Sequence, residues 1–303
     1  MHPDPRGITV EGDLRPPLPI NEPVLSYVAG SPERAELKAT LDMMASEVID
    51  IPVIVGGKDI LTGDTADVVM PHDHGHVLAR YHKAAPEHIQ AAIDTGHEAW
   101  HEWSNWPWQD RAAVLLRAAD LLAGPWRATL NASTMLGQSK TVYQAEIDAA
   151  CEIIDFWRFN VQYARDLYAQ QPISSPGLWN YMDYRPLEGF IYAISPFNFT
   201  SIGGNLPTAP ALMGNVAIWK PARTSLYSSY FLMRLLQEAG LPDGVINFLP
   251  GNSAQISDLL IKSPHLAGIH FTGSTAVFQS LWKDVAANLE NYRSYPRIVG
   301  ETG

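Results

Sequence analysis

The stretch FIYAISPFNFTSIGGNLPTAPALMGNVAIWK, residues 190–220, decides the fold. It opens on one apolar run, FIYAIS, and closes on another, VAIWK, with a segment of helical length between them. Runs without a polar face are strands buried on both sides. Downstream the alternation continues, with VINFLP, GIHF and RIVG separated by the helical stretches SSYFLMRLLQEAG, SAQISDLLIKS and AVFQSLWKDVAANLENY. The pattern predicts five mainly parallel strands at about 190–195, 216–220, 245–249, 268–271 and 297–300, covered by helices. This is an α/β, doubly wound, Rossmann-like sheet, and such sheets bind ligands at the carboxyl ends of their strands.

Upstream the chain reads as helical. At Ser31-Pro32-Glu33 a helix start is signalled by a serine cap, a proline at the first helical position and an acid in the first turn, followed by Leu37, Leu41 and Met44 on one face. IPVIVGG and ADVVM read as short strands. PEHIQAAIDTGHEAW, QDRAAVLLRAADLLAG (stopped by Gly124) and a long segment over residues 141–171 read as helices. In the long one, Ile147, Cys151, Ile154 and Trp157 form a core stripe at three- and four-residue steps. Residues 1–30, rich in proline and acids, read as an extended arm lying on the rest. Residues 172–189, with Trp179, Tyr181 and Tyr184 among three prolines and two glycines, read as an aromatic β-ribbon.

Composition sets the class. At 303 residues, 46% hydrophobic and 17% charged, the chain is globular. A net charge of −11 repels phosphate backbones and anionic lipid, so neither nucleic acid nor membrane is expected as a partner. No apolar run has the length of a membrane span, and the first residues carry neither a signal-peptide core nor an Arg-rich, acid-free transit sequence. With Cys151 as the single cysteine, no internal disulfide can form. The expected address is cytoplasmic.

Polar or small residues follow the strands in turn. Past FIYAIS, the Asn198 carboxamide can either donate to a developing oxyanion or cap the next helix. Lys220, ending VAIWK, is placed to bond ribose hydroxyls or phosphate, or is a solvated charge. Thr272-Gly273-Ser274-Thr275 leads into a helix and suits a diphosphate, though Gly-Ser also makes an ordinary cap. There is no G-x-G-x-x-G fingerprint. His72, His74 and His76 in VVMPHDHGHVLARY give the H-x-H spacing of metal-dependent hydrolases, but the surrounding Pro, Asp and Gly favour a turn between strands, and no metal is expected.

Taken together, ISPFNFTSIGGNLPTAPALMGNVAIWKPA, EAGLPDGVINFLPG, GIHFTGSTAVF and VGETG resemble the aldehyde dehydrogenase superfamily in order and spacing. MLGQSKTVYQAEIDAACEIIDFWRFN, QQPIS and NLPTAPALMGN resemble its L-glutamate γ-semialdehyde (pyrroline-5-carboxylate) dehydrogenase branch. The resemblance runs from about Ser31 to the last residue and implies NAD binding without the missing fingerprint. It implies that Ser195 and Lys220 contact the cofactor, and that Gly273, Ser274, Thr275, Ala276 and Val277 line the turn beside its diphosphate. Asn198 becomes one half of an oxyanion hole, and Glu301 the general base for thioester hydrolysis. Arg223, three positions after Lys220, leaves NADP open beside NAD.

In the resembling family a cysteine nucleophile lies some tens of residues beyond that glutamate, whereas here Glu301 is followed by two residues. Cys151, within the long helix, reads as a buried structural thiol. The resemblance therefore implies that residues 31–303 are an NAD-binding domain, interrupted by an oligomerisation ribbon, with the cysteine-bearing catalytic domain absent. The chain alone is expected to be inactive. Its parent is expected to be a homo-oligomer that oxidises L-glutamate γ-semialdehyde to L-glutamate with NAD; the rival readings are another aldehyde dehydrogenase and a non-catalytic nucleotide-binding or oligomerising protein.

Overall fold

The computed structural model describes residues 15–303, so that residues 1–14 of the expected arm lie outside the described part. The first helix, α1 (Pro32–Ser46), starts as its sequence dictates, with Ser31 Oγ accepting the Arg34 N–H. Short strands follow: β1 (Ile49–Ile51), β2 (Val53–Val55), β3 (Lys58–Ile60), and the hairpin of β4 (Thr65–Met70) with β5 (Asp73–His82). Helices α2 (Pro86–Trp103), α3 (Trp108–Ala123), α4 (Arg127–Gln138) and the single turn α5 (Val142–Ala145) lead into a π-helical turn, Glu146–Glu152. From it grows α6 (Ile153–Tyr168).

The second half alternates as expected: β6 (Phe190–Ile194), α7 (Thr200–Leu212), β7 (Val216–Lys220), α8 (Leu226–Glu238), β8 (Ile246–Phe248), α9 (Ser253–Lys262), β9 (Leu266–Gly273), α10 (Thr275–Ala287) and β10 (Arg297–Thr302). The five strands of this half are parallel and ordered β10-β9-β6-β7-β8. The main sheet has seven strands, not five. β2 joins β8 in antiparallel sense, and β3 pairs with β2 through a tight turn at Gly56-Gly57. β1, β5 and β4 form a separate three-stranded sheet.

The period of two along each strand divides the core. Phe190, Tyr192 and Ile194 of β6, with Val216 and Ile218 of β7, pack beneath α2, α9 and α10. Ala193, Ala217 and Trp219 face the opposite layer of α3, α4, α6, α7 and α8. Close approach in that layer depends on Gly204, where a Cβ would stand 2.3 Å from Ile153 Cδ1. Within α7, Pro210 has no N–H for the Leu206 carbonyl, and His270 of β9 satisfies it instead, Nδ1 to O at 2.9 Å. Because a carbonyl only accepts, His270 carries its proton on Nδ1.

Two local features differ from the sequence reading. The long helix is interrupted at residues 146–152, where the i→i+5 pitch rotates the apolar stripe and leaves Ile147 37% exposed, while Glu146 and Asp148 point inward. Residues 172–189 form no β-ladder: side chains replace backbone pairing, with Gln171 bonding both ways to the backbone of Met182, and Ser174 Oγ accepting the Asn180 N–H. Pro172, Pro176 and Pro186 remove donors that a ladder requires. The arm is held by charge as well as apolar contact: Leu25 N–H and Tyr27 O–H donate to Glu146, Glu22 pairs with Arg127 and Arg158, and Tyr27 is buried in the core with Leu25 packed against it.

Candidate functional site

The parallel order changes direction between β6 and β9, since the chain runs from β6 to β7 and β8 on one side and then crosses to β9 on the other. A crevice at the carboxyl ends of strands flanking such a switch point is where doubly wound sheets take their ligands. β6 ends here at Ser195, β7 at Lys220, β9 at Gly273 and β10 at Glu301-Thr302. The sheet thus brings all the expected site residues to one edge.

Ser195 is buried and accepts the Trp219 indole N–H at 3.0 Å, while its own N–H donates to the Lys220 carbonyl. That contact leaves the serine hydroxyl hydrogen to donate elsewhere. Lys220 is 8% exposed, and among the described residues its ammonium has no hydrogen-bond or ionic partner. Burial pushes its pKa down to about 8. A buried ammonium without partners fits a ligand that supplies hydroxyl or phosphate oxygens. At the start of α10, Ser274 caps through Oγ to the Val277 N–H, and residues 274–277 are exposed. Arg223 is exposed in the short 3₁₀ turn after β7.

Asn198 is exposed, and among the described residues its carboxamide makes no hydrogen bond. It does not cap α7. The capping acceptor is Asp148 from the π-helical turn, taking the Thr200 N–H at 3.1 Å and the Ser201 N–H at 2.9 Å. Lys140 Nζ lies 2.5 Å from the same carboxylate and 4.2 Å from the centre of the Phe199 ring. Neither Asp148 nor Lys140 is visible as a site residue in the sequence, because the N–H groups that Asp148 accepts lie on a distant helix and the spacing of Lys140 and Asp148 matches no motif.

Glu301 sits exposed on β10, with Thr272 Oγ1 of the paired strand 3.5 Å from its Oε2. Glu152, the last residue of the π-helical turn, accepts the Ser201 hydroxyl at 2.8 Å. Burial raises its proton affinity, and the charges of Asp148 and Glu301 raise it further, which puts both within its field. Phe156, one turn further along α6, is half-buried.

Cys151 is buried against Glu146 and Arg127, with Sγ 3.5 Å from the guanidinium. Burial and the neighbouring carboxylate push its pKa up to about 12, so it is a thiol at neutral pH. The three histidines of the β4–β5 hairpin do not converge: His72 bonds Ser139 and His76 bonds the Ala45 carbonyl. Among the described residues no group of three His, Cys, Asp or Glu side chains is arranged to hold a metal, and no helix is long and apolar enough to cross a membrane.

Comparison with known proteins agrees with the fold. The model of the aldehyde dehydrogenase family matches residues 61–295. The chain is 53% identical over 285 residues to a delta-1-pyrroline-5-carboxylate dehydrogenase of Agaricus bisporus, covering 93% of this chain and 52% of that protein. It is 50% identical over 283 residues to the mitochondrial enzyme of that name from Homo sapiens, covering 93% of this chain and 50% of that one. The crystal structure of the delta-pyrroline-5-carboxylate dehydrogenase from Mycobacterium tuberculosis bound with NAD superimposes with a TM-score of 0.96 at 55% identity, over 97% of this chain and 55% of that one. The chain spans about half the length of the curated relatives it matches. With its parallel sheet, a family model over residues 61–295 and relatives about half identical to it, the chain belongs to the aldehyde dehydrogenase family.

Proposed function

We propose that this chain is the cofactor-binding part of an enzyme that oxidises L-glutamate γ-semialdehyde, formed from pyrroline-5-carboxylate, to L-glutamate with NAD. The observation that carries the reading is the buried Lys220, unpartnered among the described residues, beside Ser195 at the switch point of the sheet, in a chain about half identical to pyrroline-5-carboxylate dehydrogenases. NAD, when bound, supplies the hydride acceptor. Ser195 and Lys220 would hold its sugar and phosphate oxygens, and the turn at residues 273–277 would take its diphosphate. Arg223 is exposed near the same edge, and the choice between NAD and NADP turns on whether it meets a 2′-phosphate.

Asn198 donates to the oxyanion that develops when a thiolate attacks the aldehyde, and its carboxamide, unpaired among the described residues, suits that task. Glu301 accepts a proton from the water that hydrolyses the thioester left once the thiohemiacetal has lost its hydride. The thiolate itself is not Cys151, whose buried sulfur remains protonated. The 303 residues alone therefore do not turn over aldehyde. The exposed aromatic segment around Trp179, which is 86% exposed, joins subunits of a homo-oligomer, and the address is cytoplasmic.

The test is an assay of NADH formation from pyrroline-5-carboxylate and NAD. The protein as its gene encodes it turns over, and the 303-residue polypeptide does not. Turnover by the 303 residues that Cys151→Ala abolishes would place the nucleophile at Cys151 and overturn the assignment; turnover that survives this change would overturn the thiolate mechanism.

A further inference from the structure

We propose that Asp148 is a positioning residue for Asn198: by capping α7 from a distance it keeps the Asn198 carboxamide turned out toward the substrate. The inference rests on the oxyanion reading of Asn198 given above. A helix starting at Thr200 needs acceptors for its first N–H groups, and the nearest local candidate is Asn198, a residue type with a strong tendency to fill that role. Phe199, at the cap position, provides none. Asp148 takes the first two of these donors, Thr200 N–H on Oδ2 and Ser201 N–H on Oδ1, and it is 1% exposed. Those two donors are thereby closed to the Asn198 side chain.

The supports of Asp148 point the same way. The π-helical turn directs Glu146 to Arg127 and Asp148 to α7, so the arm and the α7 cap are fixed from one segment. Lys140 neutralises the buried carboxylate and at the same time rests on the Phe199 ring, next to Asn198. Gln138 Nε2 holds the Thr200 hydroxyl at 2.8 Å and the Ser228 hydroxyl at 2.8 Å, which pins the residue that receives the cap. Without Asp148, the vacated N–H groups are open to the Asn198 carbonyl, and the carboxamide turns inward, away from the reacting carbon.

The experiment is a double-mutant cycle in the protein as its gene encodes it, with Asn198→Ala, Asp148→Ala and both together, read as kcat and KM separately. Asn198→Ala is expected to lower kcat by about 10² to 10³. Asp148→Ala is expected to lower kcat by about tenfold or more at nearly constant KM for the aldehyde, and to add little once Asn198 is gone. Asp148→Asn keeps one carbonyl acceptor and is expected to recover part of the loss; where Asp148→Ala does not fold, it takes that variant's place in the cycle. Hydrogen exchange at the Thr200 and Ser201 amides should accelerate in the Asp148 variants. An Asp148 loss that persists in full in the Asn198→Ala background, or no loss of kcat at all, overturns the positioning role alone. An Asn198→Ala enzyme with unchanged kcat overturns the oxyanion reading and the inference with it.

Discussion

Trp219 and Ser195 tie together the carboxyl ends of adjacent parallel strands, the indole N–H donating to the serine Oγ across 3.0 Å inside the protein. The indole is fully buried and stacks edge-on against Phe248 of the next strand, so a side chain at the ligand-binding edge is braced by the core beneath it. Ser195→Ala leaves that N–H buried without an acceptor, at a cost of about 1–3 kcal/mol. Urea unfolding of the variant should show the loss, with the m-value unchanged.

Lys220 gives the pH dependence of stability a definite sign. Its pKa is lowered by burial to about 8 in the fold, against about 10.5 when exposed, so between these values the unfolded chain holds the proton more often. Stability attributable to this group therefore rises with pH from about 8 to about 10.5, and below 8 the buried charge destabilises in full. Lys220→Met is expected to stabilise the ligand-free chain at pH 7 by up to about 3 kcal/mol, and the advantage should shrink toward pH 10. Unfolding of both proteins across that range measures the difference directly.

The arm should depend on Arg127. This guanidinium is buried and contacts Glu146, Glu22 and the Pro23 carbonyl, while burial alone would raise the Glu146 pKa and the hydrogen bonds from Arg127, Leu25 and Tyr27 hold it below the ordinary carboxylate value. Arg127→Ala strands that carboxylate and is expected to cost about 3–5 kcal/mol. Proteolysis should then release residues 15–28 well before the rest of the chain, a result that intact Arg127 prevents.

Cys151 should be a slow thiol. With its pKa at about 12 and its sulfur buried, alkylation by iodoacetamide at pH 8 is expected to proceed only as fast as the protein unfolds, and to become rapid in denaturant. Cys151→Ala should leave NAD affinity unchanged.

The doubly wound half was legible because a strand buried on both faces writes itself as a short apolar run, and β6 and β7 end where FIYAIS and VAIWK meet polar residues. The π-helical turn was not, since α periodicity put Ile147 in the core and the wider turn turned Glu146 and Asp148 inward in its place. Asp148 as the cap of α7 was illegible for a different reason: a capping acceptor 52 residues from its donor leaves no local pattern. The aromatic content of residues 172–189 suggested a ladder, but prolines in that segment and the side-chain contacts of Gln171 and Ser174 give an open hairpin instead. IPVIVGG was readable as strand, while its antiparallel union with β8 depends on a single long-range pairing, Ile54 with Phe248.

The most direct test of the central claim, a dinucleotide site at the switch point of the sheet, is a calorimetric titration of NAD into the 303-residue chain and its Lys220→Ala and Ser274→Trp variants. Lys220→Ala removes the buried ammonium, and Ser274→Trp fills the start of α10 with an indole while deleting its cap. The account predicts saturable binding of one NAD to the native chain, weakened by about tenfold or more in each variant, as expected for losing a charged hydrogen-bond donor of about 1.5–3 kcal/mol or blocking a diphosphate. Equal affinity in all three proteins would contradict it.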